Sequence, residues 1–208
     1  MSITFPLSLP SSPNPRSIKL SATNLVGVNV SPFTAEAETQ EWPGEYWQAS
    51  VTLPPIGNQV VAGQWEALLL AVRGGSGTFL LGDPSRTAPT GIATGTPKVN
   101  GSNAAGSKTL STKGWTHSVT GILKRGDLFQ VGTGTSQRLY KVVTDANSDG
   151  SGNSTLDIFP RLREALTDNT SLVLASPKGV FRLANNQRSW DIDTAFIYSF
   201  TFECVEAL

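Results

Sequence analysis

The chain has 208 residues, of which 38% are hydrophobic and only 15% are charged, and its 16 basic residues balance 16 acidic ones. This length allows one large domain or two small domains with packed cores. A surface that binds duplex nucleic acid normally carries a basic excess, so the zero net charge argues against a nucleic-acid partner. The single cysteine excludes an internal disulfide framework, and 20 glycines with 13 prolines indicate a β protein with many turns.

The N-terminal segment carries no targeting pattern. Residues 1–10 lack a basic start, and Pro6 and Pro10 interrupt their apolar residues, so we expect no signal peptide. No apolar run approaches the ~18 residues of a membrane span, so we expect no membrane insertion and assembly in a cytosol. Residues 10–16, PSSPNPR, predict an extended arm that is mobile or lies along a neighbouring molecule.

The following segments alternate apolar and polar residues in the pattern of β-strands. Residues 18–30 predict two strands, or one strand with a bulge, and the polar residues 31–43 predict a loop. Residues 45–53, EYWQASVTL, predict a strand that Pro54 and Pro55 terminate. The residues of this strand expected to face the core are Trp47, Ala49, Val51 and Leu53.

A helix with a single apolar stripe is predicted next. Asn58 is the expected N-cap, because its side chain can accept hydrogen bonds from amides of the first turn. Gly74 and Gly75 permit a left-handed helix end, and residues 77–81, GTFLL, predict a short strand. The residues expected to pack on a sheet are Trp65, Leu68, Leu69 and Val72, and those expected to face away are Gln64, Glu66 and Arg73.

The second half of the chain predicts further strands. Residues 85–106 are rich in small and polar residues and predict a linker with a short strand near residues 97–100. A meander is predicted at residues 126–132, 138–144 and 154–159, followed by short strands at residues 171–175 and 179–183. The last strand is predicted by strict alternation, with a core face formed by Phe196, Tyr198, Phe200, Phe202 and Cys204.

Together these elements predict a mainly β fold, a β-sandwich or barrel with one packed α-helix. The aromatic return strand suggests that the chain leaves its first domain near Ala88 and returns to it near Val180. We therefore expect one domain formed by residues 1–88 and 180–208, with residues 89–179 as an inserted second β module.

Residues with catalytic or metal-binding chemistry are few. His117 is the only histidine and has no acidic partner nearby in sequence, and Cys204 is expected in the core rather than as a nucleophile. Residues 145–150 match the D-x-N-x-D-G opening of a calcium loop, but Leu156 stands where a bidentate glutamate is required. We interpret this stretch as a turn between strands. We expect no metal, no cofactor and no enzymatic activity.

Two aromatic residues remain as candidates for a contact surface. Alternation directs Trp47 into the core and leaves Trp42 and Tyr46 outside it. Tyr and Trp are enriched at protein interfaces, so both are predicted anchors of a subunit contact, and the alternative is stacking against sugar rings. The residues before Ile18 and residues 31–43 are expected to become ordered only against neighbouring subunits.

Three stretches resemble tail proteins of long-tailed bacteriophages and prophages. The first is YWQASVTLPPIGNQVVAGQWEALLLAVRGGSGTFLLGDP, which is similar to the start of such proteins. Residues 121–163, GILKRGDLFQVG to STLDIFPRLR, resemble a β module that recurs in phage virion proteins. The closing WDID and IYSFTFECVEAL also fit this group, so that the resemblance covers most of the chain in order.

The resemblance implies a tail-tube-like domain that assembles as a homohexameric ring, with no catalytic residues to carry over. The size and the inserted module favour the distal tail protein, a virion ring at the tail tip that links the tail tube to tip, baseplate or hub proteins. Residues 31–43 are short for the hairpin that stacks rings of the tube protein, so a tube or tail-completion protein comes second. A receptor- or carbohydrate-binding tip protein is the alternative of another class, and a hydrolase is the weakest.

Overall fold

The computed structural model describes residues 3–208, so the first two residues of the predicted N-terminal domain lie outside the described residues. The described chain is mainly β with one α-helix, which confirms the predicted fold class. The strands are β1 (Leu7–Ser8), β2 (Ser17–Val30), β3 (Ala37–Thr52), β4 (Phe79–Leu81), β5 (Gly95–Val99), β6 (Thr109–Trp115), β7 (Leu128–Val131), β8 (Arg138–Val142), β9 (Ser154–Phe159), β10 (Leu172–Val173), β11 (Gly179–Leu183), β12 (Trp190–Ile192) and β13 (Tyr198–Glu206). Helix α1 spans Gln59–Ala71, and Gly134–Ser136 form a 3-10 turn.

A seven-stranded sheet joins the two ends of the chain. Its order is β1-β4-β11-β13-β3-β2, and β12 pairs with the start of β13. Strand β1 runs parallel to β4, and all other neighbours are antiparallel. The late strand β13 lies between β3 and β11, so residues from both termini share one core. Of the two alternatives predicted for residues 18–30, the structure has one strand, with an irregularity between Thr23 and Leu25.

Helix α1 packs on this sheet as its apolar stripe predicted. The Asn58 side chain caps it by accepting hydrogen bonds from the backbone amides of Val60 and Val61 at 2.9 and 3.3 Å. The helix ends through left-handed Arg73 and Gly74, one residue earlier than expected. The predicted stripe is buried in the core with sheet residues, and its members are Trp65, Leu68, Leu69 and Val72.

A six-stranded sheet in the order β10-β7-β8-β9-β6-β5 curls into a nearly closed barrel. Its two edge strands meet where Lys98 bridges to Ser171 and the amide of Val99 donates to Thr170 O at 2.8 Å. All strands of this barrel lie between residues 95 and 173, and they enclose a second core. The prediction that residues 89–179 fold as a separate inserted domain concerns independent folding and stays a prediction.

The N-terminal arm contradicts the expectation that only a neighbouring subunit would order it. Leu7 donates its amide to Thr78 O at 2.9 Å, and the Trp65 indole donates to Ser12 O at 3.2 Å. Phe5, Leu7 and Leu9 pack against the core of the seven-stranded sheet. The expectation was wrong because it weighed the prolines and overlooked these three apolar residues, which cover the edge of their own sheet.

Two further boundaries differ from the sequence interpretation. The predicted loop at residues 31–43 is confirmed for residues 31–36, which connect the two strands, and is wrong for residues 37–43, because β3 begins at Ala37 opposite Val30. Phe196 lies outside β13 in a left-handed conformation and is exposed, although the rest of the alternation holds. The burial continues one step further than predicted, to the carboxylate of Glu206.

Candidate subunit interface

The ladder of β2 and β3 extends well beyond the core that covers its first half. We call residues 25–42 the outer hairpin, which is paired in register from Leu25 opposite Trp42 to Val30 opposite Ala37. Within residues 3–208 no strand pairs with the other edge of β2. Because residues directly opposite one another in a ladder share a face, the outer hairpin has two faces of distinct composition.

The first face carries the predicted anchors. The Trp42 ring lies over Gly27, where a Cβ atom would come within 2.7 Å of the indole, so a glycine is needed for this close approach. Leu25 covers Gly44 in the same way. Both large side chains therefore lie along the ribbon with half of their surface exposed.

Tyr46 lies on the same face as Trp42, four residues further along β3, and it is partly buried. Its hydroxyl accepts a hydrogen bond from the Gln48 side chain at 3.3 Å. The structure therefore brings the two predicted anchors onto one strand face, within a paired strand rather than at the end of a loop. Their role in a subunit contact stays a prediction.

The second face carries a stripe of valines that the sequence analysis did not single out. Val26, Val28 and Val30 alternate along β2 and are about half exposed, and Phe33 at the tip is 94% exposed. The alternation that predicts the strand also places these three valines on one face. No other segment of the sequence was predicted to cover that face, and this combination could have identified them as an exposed surface. Both faces of this ribbon thus present apolar side chains to solvent.

At its root, the ladder contacts the barrel through Trp47. The Trp47 indole donates to Leu139 O of the barrel at 3.0 Å and packs edge-on against the ring of Phe159, with centroids 4.9 Å apart. The Trp47 amide donates to the buried Glu206 carboxylate at 3.2 Å, and the Arg163 guanidinium donates to both oxygens of that carboxylate at 2.6 and 3.1 Å. A buried aromatic and a buried ion pair therefore join the two sheets.

The other residues considered for chemistry have structural settings. Cys204 is buried with its sulfur 3.5 Å from Ala49 O, and burial raises the pKa of its thiol to about 12. His117 is exposed beside the turn that contains Gly152. Cys204 is thus a core residue, as predicted.

The segment that resembled a calcium loop is a turn, as interpreted. Asp149 accepts hydrogen bonds from the backbone amides of Asn153 and Ser151 at 2.8 Å, and these bonds lower the pKa of its carboxyl group. Asp145 accepts from the amide of Arg125 at 2.9 Å and from the Lys124 ammonium at 3.2 Å. In residues 3–208 no group of three or more histidine, cysteine, aspartate or glutamate side chains is arranged to hold a metal ion.

No family model matches the chain, and the comparison with curated proteins finds no match. None of the helices in the described residues has the length and apolarity needed to cross a membrane.

Proposed function

We propose that this protein is a structural component of a bacteriophage tail that assembles with copies of itself into a ring. The position proposed for that ring is the distal end of the tail, where it would link the tail tube to tip or baseplate proteins. The observation that carries the proposal is the outer hairpin, whose two faces both expose apolar side chains. The resemblance of the sequence to phage tail proteins supplies the biological setting.

The energetics of the hairpin support a contact with another molecule. Burying a valine or leucine side chain contributes roughly 1.5–3 kcal/mol to stability. Several such side chains of the outer hairpin are still exposed to water, so a partner that covers them would gain this energy. Exposed apolar residues that are scattered singly need no explanation, but a contiguous group commonly marks a binding surface. Val26, Val28 and Val30 are contiguous on one face, which favours a contact surface.

A ring requires two different surfaces on each subunit, because head-to-tail contacts join one patch to another around the ring. A projecting ribbon suits such a contact, since it reaches a neighbour without a matching ribbon opposite. The unpaired edge of β2 adds backbone donors and acceptors that a neighbouring strand can use. These features favour copies of the same chain as partners of the hairpin.

The long hairpin also favours a second hypothesis, the tail tube protein. The sequence favours the distal tail protein partly because residues 31–43, taken as a loop, are short for the hairpin that stacks tube rings. The observed ladder runs from Ser17 to Thr52 and removes that objection. The barrel inserted between β4 and β11 is the feature that still favours the distal tail protein.

Native mass spectrometry with negative-stain imaging of the purified chain tests the proposal. We expect a six-membered ring with a central opening. Stacked rings or long tubes would favour the tube protein. A stable monomer that binds glycans would overturn the ring and support a carbohydrate-binding tip protein.

A matched pair of variants tests whether the valine face makes the contact. The triple change Val26→Thr, Val28→Thr and Val30→Thr keeps β-branched side chains that suit a strand but adds hydroxyl groups to the face. We expect loss of rings at unchanged melting temperature. The control is Val143→Thr with Val173→Thr, two exposed barrel valines whose change should leave the rings intact. Rings that survive the triple change would exclude the valine face.

A further inference from the structure

The outer hairpin is held at its root by charged residues of the barrel. Lys108 directly precedes β6 and Arg161 lies just after β9, and these two strands are antiparallel neighbours, so both cations stand at one rim of the barrel. The Lys108 ammonium contacts one carboxylate oxygen of Glu41 at 2.7 Å, and the Arg161 guanidinium contacts the other at 2.8 Å. Each oxygen of Glu41 therefore has its own cation.

Arg161 also reaches a second glutamate of the same strand. Its Nε atom donates to the Glu45 carboxylate at 2.6 Å, and that carboxylate side chain is only 6% exposed. Glu41 and Glu45 are four residues apart in β3 and so point to the same face of the ribbon. The planar guanidinium group of an arginine carries several N–H donors in a fixed geometry and can bind two carboxylates at once, whereas a lysine has a single ammonium group. One barrel residue thus fixes two points along the strand.

The clamped face is also the valine face. Glu41 lies directly opposite Val26 in the ladder, and Val28 and Val30 follow on the same face beyond the clamp. The ribbon continues about 14 Å past this point, because strands rise about 3.4 Å per residue. Within the described chain, the barrel therefore contacts this face at Glu41 and not beyond it, and Val28 and Val30 further out are exposed.

We propose that the barrel is a buttress that sets the direction of the outer hairpin, with Arg161 and Lys108 as its positioning residues. The clamp through Glu41 and Glu45 fixes the angle at which the valine face meets a neighbouring copy. A two-stranded ribbon alone is only marginally stable in water. The clamp therefore adds barrel contacts to the support that the outer hairpin receives from the seven-stranded sheet at its root. The presentation to a neighbouring copy rests on the proposed function, whereas the clamp itself does not.

Hydrogen exchange of the outer hairpin, measured on the full chain under conditions where it is monomeric, tests the clamp. Lys108→Gln should accelerate exchange about two- to fivefold, because exposed ion pairs contribute little. Arg161→Gln should accelerate it more than about tenfold, because it leaves Glu45 buried without its cation. The double variant Glu45→Gln with Arg161→Gln removes the stranded charge and is used if the single variant does not fold.

Lys113→Gln is the matched control, because it breaks a barrel ion pair of similar length, 2.6 Å to Asp168, that does not touch the hairpin. Unchanged hairpin exchange in the arginine variants relative to this control would overturn the clamp. Faster exchange with normal ring assembly would overturn the claim that hairpin direction governs the contact. Faster exchange in the arginine variants, together with a wild-type chain that never forms rings, would support the clamp and refute the ring, so the two failures are distinguishable.

Discussion

The two halves of the β2–β3 ladder follow the same pairing but have opposite surroundings. In the inner half, Trp47, Ala49 and Val51 alternate with polar residues and lie in the core under α1. In the outer half, Val26, Val28 and Val30 alternate as regularly along β2, yet about half of each side chain is exposed in the described chain. The same local pattern therefore yields a core in one place and an exposed apolar face in the other.

This difference separates what the local sequence determines from what the surroundings determine. Alternation and β-branched residues favour a strand, but only a second layer turns an apolar face into a core. The inner half has that layer in its own chain. The outer half lacks it, and the missing layer is the reason to expect a partner there.

The largest expected effect lies at the inner half. Trp47 is 4% exposed, lies in the core of the seven-stranded sheet and contacts Leu139 and Phe159 of the barrel strands, so Trp47→Ala should reduce the free energy of unfolding by about 3–5 kcal/mol. Denaturant unfolding monitored by circular dichroism measures this loss. A loss below about 1 kcal/mol would show that the junction repacks around the missing ring.

A second prediction compares two neighbouring leucines of α1. Leu69 is buried against the sheet and Leu70 is exposed, so Leu69→Ala should cost about 2–5 kcal/mol of unfolding free energy. Leu70→Ala is the control and should stay within about 0.5 kcal/mol of wild type. Equal losses in the two variants would mean that the stripe has been placed wrongly.

The smallest expected effect on stability, with the clearest effect on assembly, is at Trp42. This residue is 50% exposed and lies five positions before Trp47 in the same strand. Trp42→Ala should weaken ring formation, because aromatic residues at an interface carry much of its energy. Its melting temperature should stay close to that of wild type.

Phe196→Ala is the control for Trp42, since Phe196 is an exposed aromatic residue outside the hairpin. Analytical ultracentrifugation of both variants measures assembly. A Trp42 variant that assembles like wild type, or that unfolds as a monomer, would remove Trp42 from the interface.

Local patterns predicted the parts of the fold in which each segment packs against its own core. The N-cap at Asn58, the stripe of α1 and the bounds of β9 at Ser154–Phe159 all followed from spacing alone. The prediction for the N-terminal arm was wrong because the prolines of residues 10–16 do not prevent Phe5, Leu7 and Leu9 from packing against the core of their own chain. The predicted loop was wrong for residues 37–43, because a strand that does not cover a core need not be apolar on one side, and a polar strand resembles a loop in composition.

The candidate site was only partly accessible from the sequence. Exposed aromatics pointed to Trp42 and Tyr46, which the structure places on one face. The clamp had no local signal, because Arg161 and Glu45 are 116 residues apart in the chain and meet only when the barrel packs on the sheet. Charged residues on predicted surfaces are ordinarily solvated, so no spacing rule singles out the pair that becomes buried.

The lone cysteine gives the protein a built-in reporter of unfolding. Cys204 lies in β13, the strand between β3 and β11, and a thiol with a pKa of about 12 is almost entirely protonated near neutral pH. Thiol reagents attack the thiolate, so labelling must wait until the central strands separate. The labelling rate of the unmodified chain therefore measures how often the seven-stranded sheet opens, free or within an assembly.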